Sequence, residues 1–138
     1  MVGVGLAATI GEVRADNPKP STDARTAVLD ALAVCLAKGA LCVAHCQAEL
    51  AGGHTELAKC SQAVLDMTAV ANAAQSLIAR QSPNAKRIAD LCATTCKACS
   101  AACLEHKAHW AHGMHLECRA CMEACDDCAK ACAAYASS

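Results

Sequence analysis

The stretch LECRACMEACDDCAKAC, Leu116 to Cys132, sets Cys118, Cys121, Cys125, Cys128 and Cys132 at steps of three, four, three and four. At about 100° per residue, those five thiols fall within a sector of roughly 80° on an α-helix. The same arithmetic holds upstream. Cys92, Cys96, Cys99 and Cys103 recur at steps of four, three and four, within roughly 60°, and Cys35, Cys42 and Cys46 lie within about 40°. The 13 cysteines of this 138-residue chain are therefore stripes on helix faces.

Composition narrows what those stripes can be. The chain has no Phe, one Trp and one Tyr, so Ala, Leu, Val and Cys must fill the core, which favours closely approaching helices. A disulfide framework is disfavoured because the cysteine count is odd and because cysteines three or four apart on one helix are poorly placed for an unstrained bridge. Lys and Arg number 12 against 13 Asp and Glu and are scattered. That balance excludes the basic footprint of a nucleic-acid binder and gives no attraction to an acidic surface.

No stretch alternates as a half-buried strand would, and the breaks are those of a helical chain. Residues 1–15 read as an export signal, possessing the apolar run Val2 to Ile10 and small residues at Val13 and Ala15 that suit cleavage before Asp16. The run is too short to span a bilayer, and no basic segment precedes it. Either the true start lies upstream or the run is an apolar tail, so export, to the periplasm, is the favoured reading and a cytoplasmic location the alternative. Residues 16–22 form a linker with Pro18 and Pro20, and Ser21 and Thr22 are the expected helix caps. From there, residues 23–136 divide into four helices. The first runs to about Ala51, stopped by Gly52-Gly53; the second from Thr55 to about Gln81; the third from about Asn84 to Glu105 after Pro83; the fourth from beyond His115 to near Ala134. Four such helices with short turns imply an all-α, antiparallel up-down-up-down four-helix bundle with a cysteine-lined core. Cys60, Val64, Met67 and Ala71 share the inward face of the second helix, which leaves one side of the core poor in thiols.

Buried free cysteine often behaves as an inert small hydrophobe. A whole face of it does not, because Leu at each position would bury more apolar area, at about 25 cal/mol per Å². Metal binding remains. Zn²⁺ and iron–sulfur clusters take thiolates in fours, which thirteen does not supply evenly. Cys92-x3-Cys96-x2-Cys99 matches the spacing of radical enzymes that cleave S-adenosylmethionine, but here it sits mid-helix with Cys103 in phase. Cu(I) fits best: it is soft, accepts two or three thiolates, and shares bridging sulfurs. One Cu⁺ also neutralises one thiolate, which avoids an uncompensated buried charge. The expected load is multiple Cu(I) ions, up to about one per cysteine. The alternatives are an iron–sulfur redox protein and a Zn-binding or disulfide-stabilised structural module. No nucleophile, base and orienting group occur together, so the chain does not read as an enzyme.

With Cys35-x6-Cys42-x2-His45-Cys46, Cys60, the Cys92 to Cys103 set and the Leu116 to Cys132 stretch in view, the chain resembles the bacterial copper storage proteins from about Thr26 to Ala134. The resemblance implies a non-enzymatic store of many Cu(I) ions, exported in some members, and a homo-oligomer, tetrameric in some. It also implies that a His beside the last helix-one cysteine completes a copper site at the open end, a position that His45 matches. A copper chaperone or a recipient copper enzyme is the protein partner such a store implies. The chain departs from the exported branch at Glu49, Gly52 and Leu57, where methionines are expected, and at Ala71, where a cysteine is. In their place stand His54, His106, His109, His112, Met114 and His115. In an up-down bundle both segments fall at one end, which makes that end the expected metal mouth. Trp110 is expected to anchor the loop.

Overall fold

A computed structural model describes residues 23–138, so residues 1–22, with the expected leader, linker and caps Ser21 and Thr22, lie outside the described residues. Four long helices form: α1 (Ala24–Ala51), α2 (Ala58–Ala79), α3 (Ala85–Leu104) and, after the single turn α4 (Lys107–Trp110), α5 (Leu116–Ala136). The cap of α1 is Asp23, whose carboxylate accepts from the Arg25 amide at 3.1 Å. At its other end Gly52 and Gly53 close the helix. Gly53 takes a left-handed φ of 91°, and the amides of Gly53 and His54 return to the carbonyls of Leu50 and Glu49. The expected start of the second helix at Thr55 is corrected to a 3-10 turn, Thr55–Leu57, followed by α2.

Sulfur contacts fix the directions of the helices. Cys42 meets Cys60 and, seven residues toward the start of α1 and the end of α2, Cys35 meets Met67, so α1 and α2 run antiparallel. Cys60 meets Cys103, and Cys99 meets Cys121, which extends the alternation through α3 to α5. The long helices touch in a ring, α1 to α2 to α3 to α5 and back to α1. This is the up-down-up-down bundle. Its α3 to α5 seam is the most extensive, and Ala93, Ala102, Ala124 and Ala129 are buried on these two helices, where small side chains permit close approach.

The core divides along its length. Toward the α1–α2 turn it is mostly sulfur; at the opposite end Val28, Leu32, Ala74, Ile78, Ala85 and Ala89 form an apolar floor on α1, α2 and α3, while the sulfurs of α5 continue down to Cys132. Arg25 closes that floor by donating to the last carbonyls of α2, Ile78 at 3.3 Å and Ala79. Although α1 is long and apolar enough to cross a membrane, it buries Cys35, Cys42 and Cys46 in the bundle, and part of its hydropathy lies outside, on exposed Val34 and Leu41. Mid-helix Gly39, at a cost of about 0.5–1 kcal/mol relative to Ala, faces α2; a Cβ there would come within 2.9 Å of the Met67 methyl.

Candidate metal centre

All thirteen cysteines are free thiols and fully buried. Each helix brings them inward for the reason its spacing gives: three- and four-residue steps keep successive side chains on the face that meets the neighbouring helices. On a single helix this yields Cys92 to Cys96 and Cys128 to Cys132, each pair at 3.9 Å between sulfurs. Between helices it yields Cys60 to Cys103 at 3.4 Å, Cys35 to Cys125 at 3.7 Å, Cys99 to Cys121 at 3.8 Å, and Cys118 to both Cys42 and Cys60 at 3.9 Å. Two sulfurs on one d¹⁰ ion with bonds of about 2.3 Å lie about 3.3 Å apart when bent and about 4.6 Å apart when linear. The observed separations fit that range without rearrangement.

The sulfurs also overlap in groups whose members all lie within 4.8 Å of one another. The first, at the α1–α2 end, is Cys42, Cys46, Cys60 and Cys118. Cys42 is shared with Cys103 and Cys121, and Cys121 in turn with Cys99 and Cys125. Cys125 touches Cys35, which groups with Cys96 and Cys128, and Cys128 is shared with Cys92 and Cys132. Every cysteine thus belongs to one connected column. Shared ligands suit bridged, soft, monovalent ions. They do not suit isolated four-thiolate sites, since the one four-sulfur group gives up Cys42 to its neighbour.

Proton sharing follows the same contacts. Cys35, held by a bond from Cys125, and Cys60 and Cys121, each held first by Cys103, lie well below the usual thiol range; Cys128, held first by Cys132, is lowered to about 5. Their neighbours are pushed up: Cys42 by its bond to Cys103, Cys103 and Cys125 by theirs to Cys121, and Cys132 by its bond to Cys128. A thiolate in this column is stabilised by adjacent S–H groups, which then hold their protons more firmly.

Above the first sulfur group sits a cluster of imidazoles. His115 enters α5 with a left-handed φ of 53° and lies at the centre, its ring centroid 5.1 Å from His45, 5.5 Å from His106 and 5.3 Å from His109. Nε2 of His45 and Nδ1 of His115 share a hydrogen bond of 2.8 Å, and His45 Nδ1 is 3.5 Å from the Glu117 carboxylate. Burial, followed by the charges of His45 and His106, holds the His115 imidazole below its ordinary pKa, which favours the neutral, ligating form. His45 directly precedes Cys46, and His115 stands three residues before Cys118.

The expected mouth is only partly what the sequence suggests. His54 turns outward to Glu49 and Glu56, at 3.8 and 3.4 Å, while His112 and Met114 are exposed and outside the cluster. The connections hold them at the right end but on the solvent side. Leu57 is fully buried there. Trp110 packs over α5, lining a groove with Arg119, Met122 and Glu123. The contact of Glu117 with His45 has no signal in the sequence beyond its position one turn ahead of Cys121 on α5.

The family model of the copper storage proteins (Csp) matches residues 21–137. A solved structure, that of the copper storage protein Ccsp from Streptomyces lividans loaded with 10 copper equivalents, is similar in fold, with a TM-score of 0.72 and 26% identity over 90% of this chain and 92% of that one. No curated protein matches the chain. With its thiols gathered in one buried column, the chain belongs to the copper storage protein family, a non-enzymatic four-helix bundle whose cysteine-lined core binds multiple copper ions.

Proposed function

We propose that the stored metal is Cu(I), taken up to about one ion per cysteine, with Cys35, Cys42, Cys46, Cys60, Cys92, Cys96, Cys99, Cys103, Cys118, Cys121, Cys125, Cys128 and Cys132 as its ligands. The single observation that carries this reading is the sharing of Cys42, Cys121 and Cys128 between sulfur groups. Shared thiolates raise the number of ions a fixed number of ligands can hold, and one Cu⁺ per thiolate leaves no net charge in the core. His45, with His115, His106 and His109, receives copper at the open end and passes it to Cys46 and Cys118. Burial of His115 and its bond to His45 support that role.

X-ray absorption at the copper edge of anaerobically loaded protein tests the reading. The expected result is a Cu(I) edge with a sulfur shell and a short copper–copper vector. A Cu(II) edge, or a shell of oxygen and nitrogen alone, would overturn it. An iron–sulfur protein would instead bind iron with inorganic sulfide and be coloured.

The reading extends to location and assembly. The apolar run Val2 to Ile10 and the small residues Val13 and Ala15 support export, and an N-terminus at Asp16 on protein recovered from the periplasm tests it. Exposed Val34, Leu41 and Leu116 support a homo-oligomer, tetrameric as in relatives it resembles; light scattering of the folded protein tests that, and a monomer would contradict it. Copper exchange with a chaperone or a recipient enzyme completes the role of a store.

A further inference from the structure

Copper storage accounts for the cysteines and, among the described residues, leaves one fully buried sulfur without a task. Met67 lies on α2, the helix with a single cysteine, and is fully buried. Its Sδ accepts from the Cys35 thiol at 3.4 Å. The register repeats along the two helices: Cys42 faces Cys60 at 4.0 Å, and seven residues along each of α1 and α2 Cys35 faces Met67. At the Cys42 level every long helix contributes a sulfur, namely Cys42, Cys60, Cys103 and Cys118. At the Cys35 level, α1, α3 and α5 contribute Cys35, Cys96 and Cys128, and Met67 stands at the α2 place.

Ordinary core filling explains a methionine but not this arrangement. Leu would fill the volume equally without a donor atom, and Gly39 leaves open the space in which the Met67 methyl lies, since a Cβ there would meet it at 2.9 Å. A thioether is a soft ligand for Cu(I) and is neutral, so it completes a coordination shell without disturbing the balance of one thiolate per Cu⁺. We infer that Met67 is a further metal ligand, its Sδ bound to a Cu(I) ion held by the Cys35 thiolate. This rests on the copper storage reading and adds a donor to the wall that lacks thiols.

Selenomethionine protein, loaded anaerobically with Cu(I), tests the inference at two absorption edges. At the selenium edge the expected result is a copper scatterer at bonding distance for about one of the four methionines, lost in the Met67→Leu variant. Helical circular dichroism checks that the variant folds. No selenium–copper vector in the unsubstituted chain overturns the inference, as does a vector that survives Met67→Leu, because it then belongs to another methionine. The copper edge of the same samples separates the two readings. A sulfur shell there without the selenium signal removes the Met67 ligand and leaves storage standing, whereas absence of bound copper removes both.

Discussion

The two sides of the bundle are built on one helical periodicity and filled oppositely. Along α3 and α5 the inward positions are cysteine at Cys92, Cys96, Cys99, Cys103, Cys118, Cys121, Cys125, Cys128 and Cys132; along α2 they are Cys60, Val64, Met67, Ala71, Ala74 and Ile78. Both walls are fully buried, so burial does not distinguish them. The two walls divide the labour. Thiols give up apolar area for ligand density on one wall, and branched aliphatics and a thioether supply packing on the other, where they hold the bundle together before any metal is bound. Between them α1 does both, with Val28 and Leu32 in the floor and Cys35, Cys42 and Cys46 in the column.

The largest expected effect comes from cutting the column where sulfurs are shared. A Cys42→Ala, Cys121→Ala, Cys128→Ala variant breaks three junctions and should lose on the order of half the copper capacity, measured as copper per protein after gel filtration. Cys46→Ala, Cys99→Ala, Cys132→Ala removes as many thiols, each from one group only, and should lose roughly three ions. Equal losses would show that the sharing has no consequence. On the packing wall the contrast reverses. Ile78→Ala should lower the unfolding free energy of the copper-free protein by about 2–5 kcal/mol, read by urea denaturation, and leave the copper capacity of the folded protein unchanged.

Next in size is the mouth. Replacing His45, His109 and His115 together by Ala should slow Cu(I) loading roughly tenfold, the scale of lost ligand support, with little change in final load; His112→Ala, outside the cluster, should have no effect. Stopped-flow loading anaerobically would check both, and a triple variant that fills at the original rate would remove the mouth. The smallest effect is in protons. Cys35, Cys60, Cys121 and Cys128 lie below the usual thiol range, while Cys42, Cys103, Cys125 and Cys132 lie above it. Copper entering at a group already ionised displaces few protons, and copper at a group with raised pKa displaces about one. Proton release per ion, followed in weak buffer, should therefore rise as loading proceeds, and late-stage affinity should fall as pH falls.

Much of this contrast is legible in sequence. Three- and four-residue steps fix which face of a helix the thiols occupy, so the cysteine wall, the poverty of α2 and contacts within one helix such as Cys92 to Cys96 follow from spacing alone. The helix ends follow from Gly52-Gly53 and Ser82-Pro83 to within a few residues. Contacts between helices do not follow, because they depend on axial stagger, which is set by turn geometry that spacing does not encode. Hence Cys60 against Cys103, Met67 against Cys35 and His115 against His45 emerge only in three dimensions. Among the histidines the sequence locates the end of the bundle but not the side, since His112 shares the α3–α5 connection of His106 and His115, and His54 lies in the α1–α2 turn at the same end, yet both turn to solvent.

Loading shows whether the thirteen thiols act as one copper column. Anaerobic titration with Cu(I) against a calibrated competing chelator, followed by metal and protein analysis, tests it most directly. The column predicts saturation approaching thirteen ions per chain, one for each cysteine; saturation at about four or fewer, the yield of separate four-thiolate sites, would contradict it.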